Sequence, residues 1–219
     1  LSPDIDLDVV ARGTPGMSTP QRPKVIAPAE SGTIVAAFGR HYEVAMNDGS
    51  KKTLTTRSIV IAAGASTVVP PLPGIEQSGY VTSDTLWDAF AKLETLPKRL
   101  VVLGGGPIGC ELAQAFARLG SVVSQIEMAP RILIREDEEV SAFAQKSLSS
   151  DGVQVLTSHK ALRFQNANGV KTLVVEHNGA EKIIEYDEVI CAVGRIARLK
   201  GYGLEDLGIP TQRTVDTNE

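Results

Sequence analysis

The sequence predicts an α/β protein built on a parallel sheet, and three observations carry that prediction. Twenty glycines stand against ten aromatic residues (5 Phe, 1 Trp, 4 Tyr) in 219, a balance that suits a Val, Ile, Leu and Ala core over an aromatic-rich sandwich. Apolar runs alternate with helix-period stretches between residues 99 and 156 in the order βαβαβ, which demands parallel pairing. Two Asn-Gly turn signals, at Asn168-Gly169 and Asn178-Gly179, then mark an antiparallel meander inserted before one more apolar strand. The rest of the composition excludes several classes. With 22 Lys and Arg against 26 Asp and Glu, the net charge is −4, which offers no basic surface for nucleic acid or anionic lipid. A hydrophobic fraction of 42% and a charged fraction of 22% are those of a globular chain, and the length allows one domain or one and a half.

Taken in order, residues 1–31 hold Pro3, Pro15, Pro20, Pro23 and Pro28 and read as an irregular arm. The acidic start LSPDIDLD has no positive n-region and no apolar h-region, so it is not expected to be a signal peptide. From Gly32 the segments TIVAAF, HYEVAM and KTLTTRSIVIAAG, with Asn47-Asp48-Gly49-Ser50 between the last two, predict a small meander ending in a buried strand. Residues 70–98 carry Pro70, Pro71, Pro73 and Pro97. They predict a connector with one helix around Leu86, Trp87, Phe90 and Leu93. RLVVL is a strand buried on both faces. Ile108, Leu112, Ala115, Phe116 and Leu119 then give a helical stripe that stops at Gly120. VVSQIE is the second strand, Glu138 to Leu148 the second helix and VQVLTS the third strand; RFQN, KTLVVEH and KIIEYDEVICAVG form the meander and the returning strand.

The chemistry concentrates between the first strand and the first helix of that unit. GGGPIG at Gly104 to Gly109 satisfies GxGxxG, follows an apolar strand, opens a helix, and is followed 23 positions after Gly104 by Glu127 at the end of the next strand. Together these make the dinucleotide fingerprint of a Rossmann-like sheet. Gly104 permits the tight turn, Gly106 admits a pyrophosphate to the backbone, and Gly109 allows helix and strand to approach. The helix end supplies N–H groups and partial positive charge. Glu127 would accept hydrogen bonds from ribose hydroxyls and repel a 2′-phosphate, favouring NAD. Arg131, four positions on, is placed to reach such a phosphate, which keeps NADP open.

At these residues the chain resembles a family. RLVVLGGGPIGCELAQAFARLGS followed by IEMAPRILIREDEEV is similar to the nicotinamide-binding domain of the FAD-dependent pyridine nucleotide-disulfide oxidoreductases, which include dihydrolipoamide dehydrogenase and mercuric reductase. SIVIAAGASTVVPPLPGIE resembles the element closing the family's first FAD-domain segment. EVICAVGRIARLKGYGLEDLGI resembles the stretch where the chain leaves the NAD domain. The resemblance implies a partial FAD-binding domain at 32–69, a connector at 70–98, an NAD-binding domain at 99–196 and a return segment at 197–219. It implies that Gly104, Gly106, Pro107, Ile108 and Gly109 hold the NAD pyrophosphate, Glu127 the ribose, and that Gly194 lies against the nucleotide. Glu111 would stand beside the nicotinamide carboxamide, and Ala63 and Gly64 would belong to the FAD side. Pro107 occupies the place of a tyrosine gate found in some relatives, and Ala63 replaces the usual Thr.

The family's chemistry passes hydride from nicotinamide to flavin and electrons on to a CxxxxC disulfide. Here the two cysteines, Cys110 and Cys191, lie 81 positions apart, without CxxC or zinc spacing. There is no GxGxxG before residue 32, and no His-Pro. The expected function is therefore an NAD(H)-binding fragment, inactive alone, of a flavoenzyme that transfers hydride from NAD(P)H to FAD and on to a disulfide or metal ion, or the reverse. FAD would belong to the full-length parent, itself expected to be a homodimer through domains absent here. A standalone NAD-dependent dehydrogenase and a nucleotide-sensing module are the alternatives. The former lacks a Lys four positions after Tyr42, Tyr80, Tyr186 or Tyr202. Cys110 reads as a small core residue, with a thiol activated by the helix end as the alternative, Cys191 as core, and His41, His159 and His177 as surface residues without ligand spacing. No metal site, nucleic acid or membrane partner is expected, and the location is expected to be cytoplasmic. An isolated fragment is also expected to expose apolar surface at 32–64 and from 198 onward.

Overall fold

The computed structural model describes residues 32–38, 41–46, 48–55, 62–200, 204 and 208–215. The expected irregular arm, the strand expected at SIVIAAG and most of the tail from 201 lie outside these residues. In chain order the elements are β1 (Gly32–Phe38), β2 (His41–Met46), β3 (Lys51–Thr55), β4 (Ala65–Thr67), α1 (Ile75–Ser78), β5 (Val81–Thr82), α2 (Leu86–Phe90), β6 (Arg99–Leu103) and α3 (Pro107–Arg118). They continue with β7 (Val122–Ile126), α4 (Glu138–Ser150), β8 (Gln154–Leu156), β9 (Lys160–Ala167), β10 (Val170–His177), β11 (Ala180–Tyr186), β12 (Glu188–Cys191) and β13 (Arg195–Ala197). The chain divides into two compact units, residues 1–66 with 196–219, and residues 67–195.

In the first unit, β1, β2 and β3 form an antiparallel meander, as the three β-rich runs predict. Gly49, with φ 82°, closes the turn before β3, and Asp48 braces it by accepting from the Ser50 amide and hydroxyl. Elsewhere in this unit Ala63 and Leu204 are buried together, with Ile209 and Val215 against them.

The second unit has three layers. Its centre is a parallel sheet in the order β5-β12-β6-β7-β8. Residues of alternate parity on these strands face opposite layers, as period-two geometry requires. Leu100, Val102, Val123 and Ile190 pack against Ala113 and Phe116 of α3 and Leu148 of α4. Val101, Leu103, Ile126, Val189 and Cys191 pack against Phe164, Leu173, Val175, Ile184 and Tyr186 of the meander β9-β10-β11. Both faces are covered, which is why β6 and β12 read as unbroken apolar runs. Asn168-Gly169 and Asn178-Gly179 both carry positive φ at the two turn positions, the backbone of tight hairpins whose twist matches the flanking strands.

One expectation needs enlarging. Residues 70–98 predict a connector with a single helix, but the structure has two short helices there. Val81–Thr82 also joins the sheet edge by pairing with β12. Two residues are too few to show alternation, so only pairing reveals that strand.

The meander returns to the sheet through a charged clamp. Asp187 accepts the Arg99 backbone N–H at 2.8 Å and its Nη2 at 2.7 Å, while Glu185 takes Nη1. The guanidinium holds the Asp187 carboxyl below its usual range against the opposing pull of burial. A lowered native pKa contributes stability above the unfolded carboxylate value of about 3.9, and that contribution is lost as pH falls through the native value. Wild type is thus expected to exceed Asp187→Asn in stability by a constant margin above about pH 5, with the two converging as acid protonates the native carboxylate. Urea unfolding at a series of pH values checks this. Leu173→Ala, at a fully buried meander position, is expected to cost about 2–5 kcal/mol in the same assay.

Candidate functional site

The carboxyl ends of β6 and β7 and the first turn of α3 come together at the glycine cluster. Gly104 and Gly109 have internal reasons to be glycine. Gly104 sits at φ 117°, and a Cβ there would collide with the Ala192 carbonyl; a Cβ on Gly109 would collide with the Gly104 carbonyl oxygen. That second contact lets α3 start directly against the strand end. Gly106 differs, because a Cβ there would meet nothing within 4 Å. No group of the unit explains its glycine, so the open side of the loop is where the missing side chain clears space.

The loop is held rigidly from below. Gly104 donates to the Ile126 carbonyl at 2.8 Å, Gly105 donates to Glu127 Oε2 at 2.6 Å, and the Gly105 carbonyl accepts from Leu133 N at 2.7 Å. Gln125, fully buried on β7, donates its Nε2 to the Gly104 carbonyl at 3.1 Å and to Cys110 Sγ at 3.5 Å, while its Oε1 has no hydrogen-bond partner. The first turn of α3 presents the opposite state. Gly106 is the N-cap and Pro107 is N1, so the N–H groups of Gly106, Ile108 and Gly109 have no intrahelical acceptor. With Pro supplying no donor and no acidic side chain in the first turn, this end is a set of oriented donors with partial positive charge.

Glu127 follows β7 and is half-buried. Its Oε2 takes the Gly105 N–H, its Oε1 takes the Ala129 N–H at 2.7 Å, and each oxygen keeps a second lone pair. The carboxylate is thereby fixed beside the loop as an acceptor. Glu111 lies on α3 one position beyond the first turn and is exposed. Gly194 has φ 141° and gives its carbonyl to Val68 N at 3.0 Å. Arg195, next to it, pins the turn after β5 by donating to Asp84 at 2.6 Å and Ser83 at 3.1 Å. In the other unit, Ala63 is buried, and Gly64, with φ 68°, accepts the Arg198 N–H at 3.1 Å.

Two sequence expectations change, those for Arg131 and the histidines, and the alternative reading of Cys110 falls away. Arg131 is not left available for a phosphate. Its guanidinium donates to the carbonyls of Glu136 at 2.8 Å, Ile134 at 3.1 Å and Leu133 at 3.2 Å, stapling the loop before α4. The Cys110 thiol is pushed up, because burial outweighs the Gln125 hydrogen bond, and the Glu127 and Glu111 charges push the same way; the helix end does not activate it. Cys191 is pushed up to about 12 by burial, as a core residue should be. His159 and His177 are not isolated surface residues but half-buried, stacked rings with centroids 4.2 Å apart. The side chain of His41 lies outside the described residues. Sequence reasoning missed Gln125 and Leu133. Gln125 carried a signal, a polar side chain on the face of β7 that Val123 places in the core; Leu133, with φ 49°, carried none. Among the described residues no group of His, Cys, Asp and Glu is placed to hold a metal, and no helix is long and apolar enough to cross a membrane.

Gly109→Ala is expected to destabilise the unit by about 1–3 kcal/mol through overpacking against the Gly104 carbonyl. Gly106→Ala, facing open space at extended φ −76°, ψ 178°, should change stability by less than about 0.5 kcal/mol. Thermal unfolding of the two variants distinguishes glycine required by the fold from glycine required by something the loop holds.

Residues 23–219 match the family model described as pyridine nucleotide-disulphide oxidoreductase. The chain is 38% identical over 175 residues to the mitochondrial dihydrolipoyl dehydrogenase of Dictyostelium discoideum, covering 78% of this chain and 35% of that protein. It is 34% identical over 158 residues to a mercuric reductase of Lysinibacillus sphaericus, covering 72% of this chain and 28% of that protein. Among solved structures it is similar to the Cu(II) complex of the HOCl-induced flavoprotein disulfide reductase RclA from Escherichia coli. That match has a TM-score of 0.65 and 30% identity, and covers 80% of this chain and 38% of that one. The chain thus spans about a third of the length of the curated relatives it matches. With a family match over nearly its whole length and a parallel sheet carrying the glycine loop at its carboxyl edge, this chain belongs to the pyridine nucleotide-disulphide oxidoreductase family.

Proposed function

We propose that residues 67–195 form the NAD(H)-binding domain of a flavin-dependent oxidoreductase, and that residues 32–66 and 196–215 belong to its flavin-binding domain. The observation that carries this reading is the contrast within the glycine loop. Every hydrogen bond of Gly104 and Gly105 described above is made inside the unit, whereas Gly106 faces open space beside the donor-bearing start of α3. A pyrophosphate fits that place by charge and by shape. Gly106, Ile108 and Gly109 would donate to it, and Pro107 fixes the helix start without competing for it. Glu127 would accept the adenosine ribose hydroxyls with its remaining lone pairs. Gly194 would border the nicotinamide half, with Glu111 on the same side.

Nicotinamide supplies a hydride when bound; this chain's residues contribute binding, orientation and charge. Neither cysteine can accept the electrons, since both are free thiols, already at the reduced level. The acceptor, a disulfide or metal ion, and the flavin site would accordingly be completed by parts of the parent protein beyond this chain, including any dimer interface. Alone the chain should bind nucleotide without turning it over. The choice of NAD over NADP rests on Glu127 facing the ribose while Arg131 is committed to three carbonyls. A 2′-phosphate there meets like charge, and Arg131 is not available to offset it.

Calorimetric titration of the full chain tests the reading. NADH is expected to bind at least about tenfold more tightly than NADPH, and Glu127→Ala to weaken NADH while abolishing that preference. Absence of NADH binding at millimolar concentration to folded protein, or tighter binding of NADPH, would contradict it.

A further inference from the structure

Packing does not account for Gln125. It is fully buried on β7, and its partners across the sheet are Val102 on β6 and Val155 on β8, so an apolar residue would suit the position. The glutamine instead brings an amide oxygen without a hydrogen-bond partner, a cost that protein interiors seldom carry without a reason. The reason lies in what its nitrogen holds.

Gln125 Nε2 donates to the Gly104 carbonyl at 3.1 Å, while Glu127, two positions on, takes the Gly105 N–H on Oε2 at 2.6 Å. That carbonyl and that N–H belong to one peptide unit. A planar unit held at both ends cannot rotate about the chain. The next unit is held at one end only. Its Gly105 carbonyl accepts from Leu133 N at 2.7 Å and from Cys110 Sγ at 3.6 Å, and Cys110 is in turn the second partner of Gln125 at 3.5 Å. Leu133 donates from φ 49°, a left-handed backbone that residues with side chains seldom adopt, so this contact is kept against local preference. The other end of the unit is the Gly106 N–H. Being trans to the Gly105 carbonyl, it is aimed the opposite way, away from Leu133 and Cys110.

We infer that Gln125 is a positioning residue for nucleotide binding. By locking the peptide between Gly104 and Gly105 it presents the Gly106 N–H, and with it the start of α3, to the pyrophosphate in the orientation that the bound state needs. The inference rests on the NAD-binding reading above and adds to it a buried side chain that touches no nucleotide. Such preorganisation raises affinity by taking the ordering cost out of the binding step. It acts on the pyrophosphate end, so it does not distinguish NADH from NADPH; that choice belongs to Glu127.

Gln125→Met keeps the length and the apolar stem and loses the donor. One buried acceptor is removed and another loses its donor, so urea unfolding of the full chain is expected to give a midpoint close to wild type. Calorimetric titration is expected to show NADH and NADPH weakened by the same factor, about tenfold, with their ratio as in wild type. In the free variant the Gly105 amide is expected to exchange faster with solvent while the amides of β6 keep their protection. A merely structural glutamine would instead lower the midpoint and leave the affinity of the folded protein unchanged. Unchanged affinity or unchanged Gly105 exchange in the folded variant, or an altered NADH to NADPH ratio, overturns the inference while leaving nucleotide binding intact. If Gln125→Met does not fold, Cys110→Ala decides, because it removes the second partner of Gln125 at a small, half-buried side chain. Both nucleotides weakened about threefold supports the inference, and unchanged affinity overturns it. Failure of folded wild type to bind NADH overturns the NAD-binding reading, and this inference with it.

Discussion

The structure of the second unit depends on one close approach, that of the Gly109 backbone to the Gly104 carbonyl. Any side chain at 109 would push α3 off the end of β6. With none there, the helix starts in contact with the strand that precedes it, and its unpaired N–H groups face the carboxyl edge of the sheet instead of solvent beside it. Gln125 reinforces the same point from within the core by bonding that carbonyl, so a polar side chain is tolerated beside Val123 on the buried face of its strand. The anion-binding role proposed for the loop would be a consequence of packing: the glycines that permit contact also orient the donors.

From that contact the layers follow. A helix pressed onto one face of β6 and β7 leaves the other face to be covered. The β9-β10-β11 meander does so with Phe164, Leu173, Val175 and Tyr186 rather than with a third helix. Using a meander there has a second effect. Its strand ends reach the carboxyl edge beyond β8, and His177 arrives beside His159 because β10 ends there. A helical cover would place no such side chain in that position. The charged clamp of Arg99 on Asp187 works at the opposite, amino-terminal edge of β6, where it fixes the register in which the chain re-enters the sheet as β12.

Most of the second unit was legible because its signals are local. The apolar runs of β6 and β12, the stripe on α3, the Asn-Gly hairpins and the spacing from Gly104 to Glu127 each depend on residues close in sequence, and the structure brings them together as those patterns require. What stayed hidden depends on residues far apart or on backbone alone. The edge strand β5 is two residues long and is defined only by its partner β12, more than a hundred positions later. Arg131 has the charge and position to meet a phosphate. Only the fold of the five residues after it shows that three carbonyls claim its guanidinium. The histidine stack joins positions 18 apart through turns whose left-handed Ser158 no propensity marks. The roles expected of Glu111 and Gly194 rest on the family resemblance alone.

The central claim is that the start of α3, freed of side chain at Gly106, is an anion-binding site for a pyridine dinucleotide. Amide-resolved NMR of the full chain during addition of NADH tests it most directly. The account predicts that the largest shifts fall on the N–H groups of Gly106, Ile108 and Gly109, with those around Glu127 following at the same ligand concentration. Saturable binding that leaves those three amides in place and moves others would contradict it.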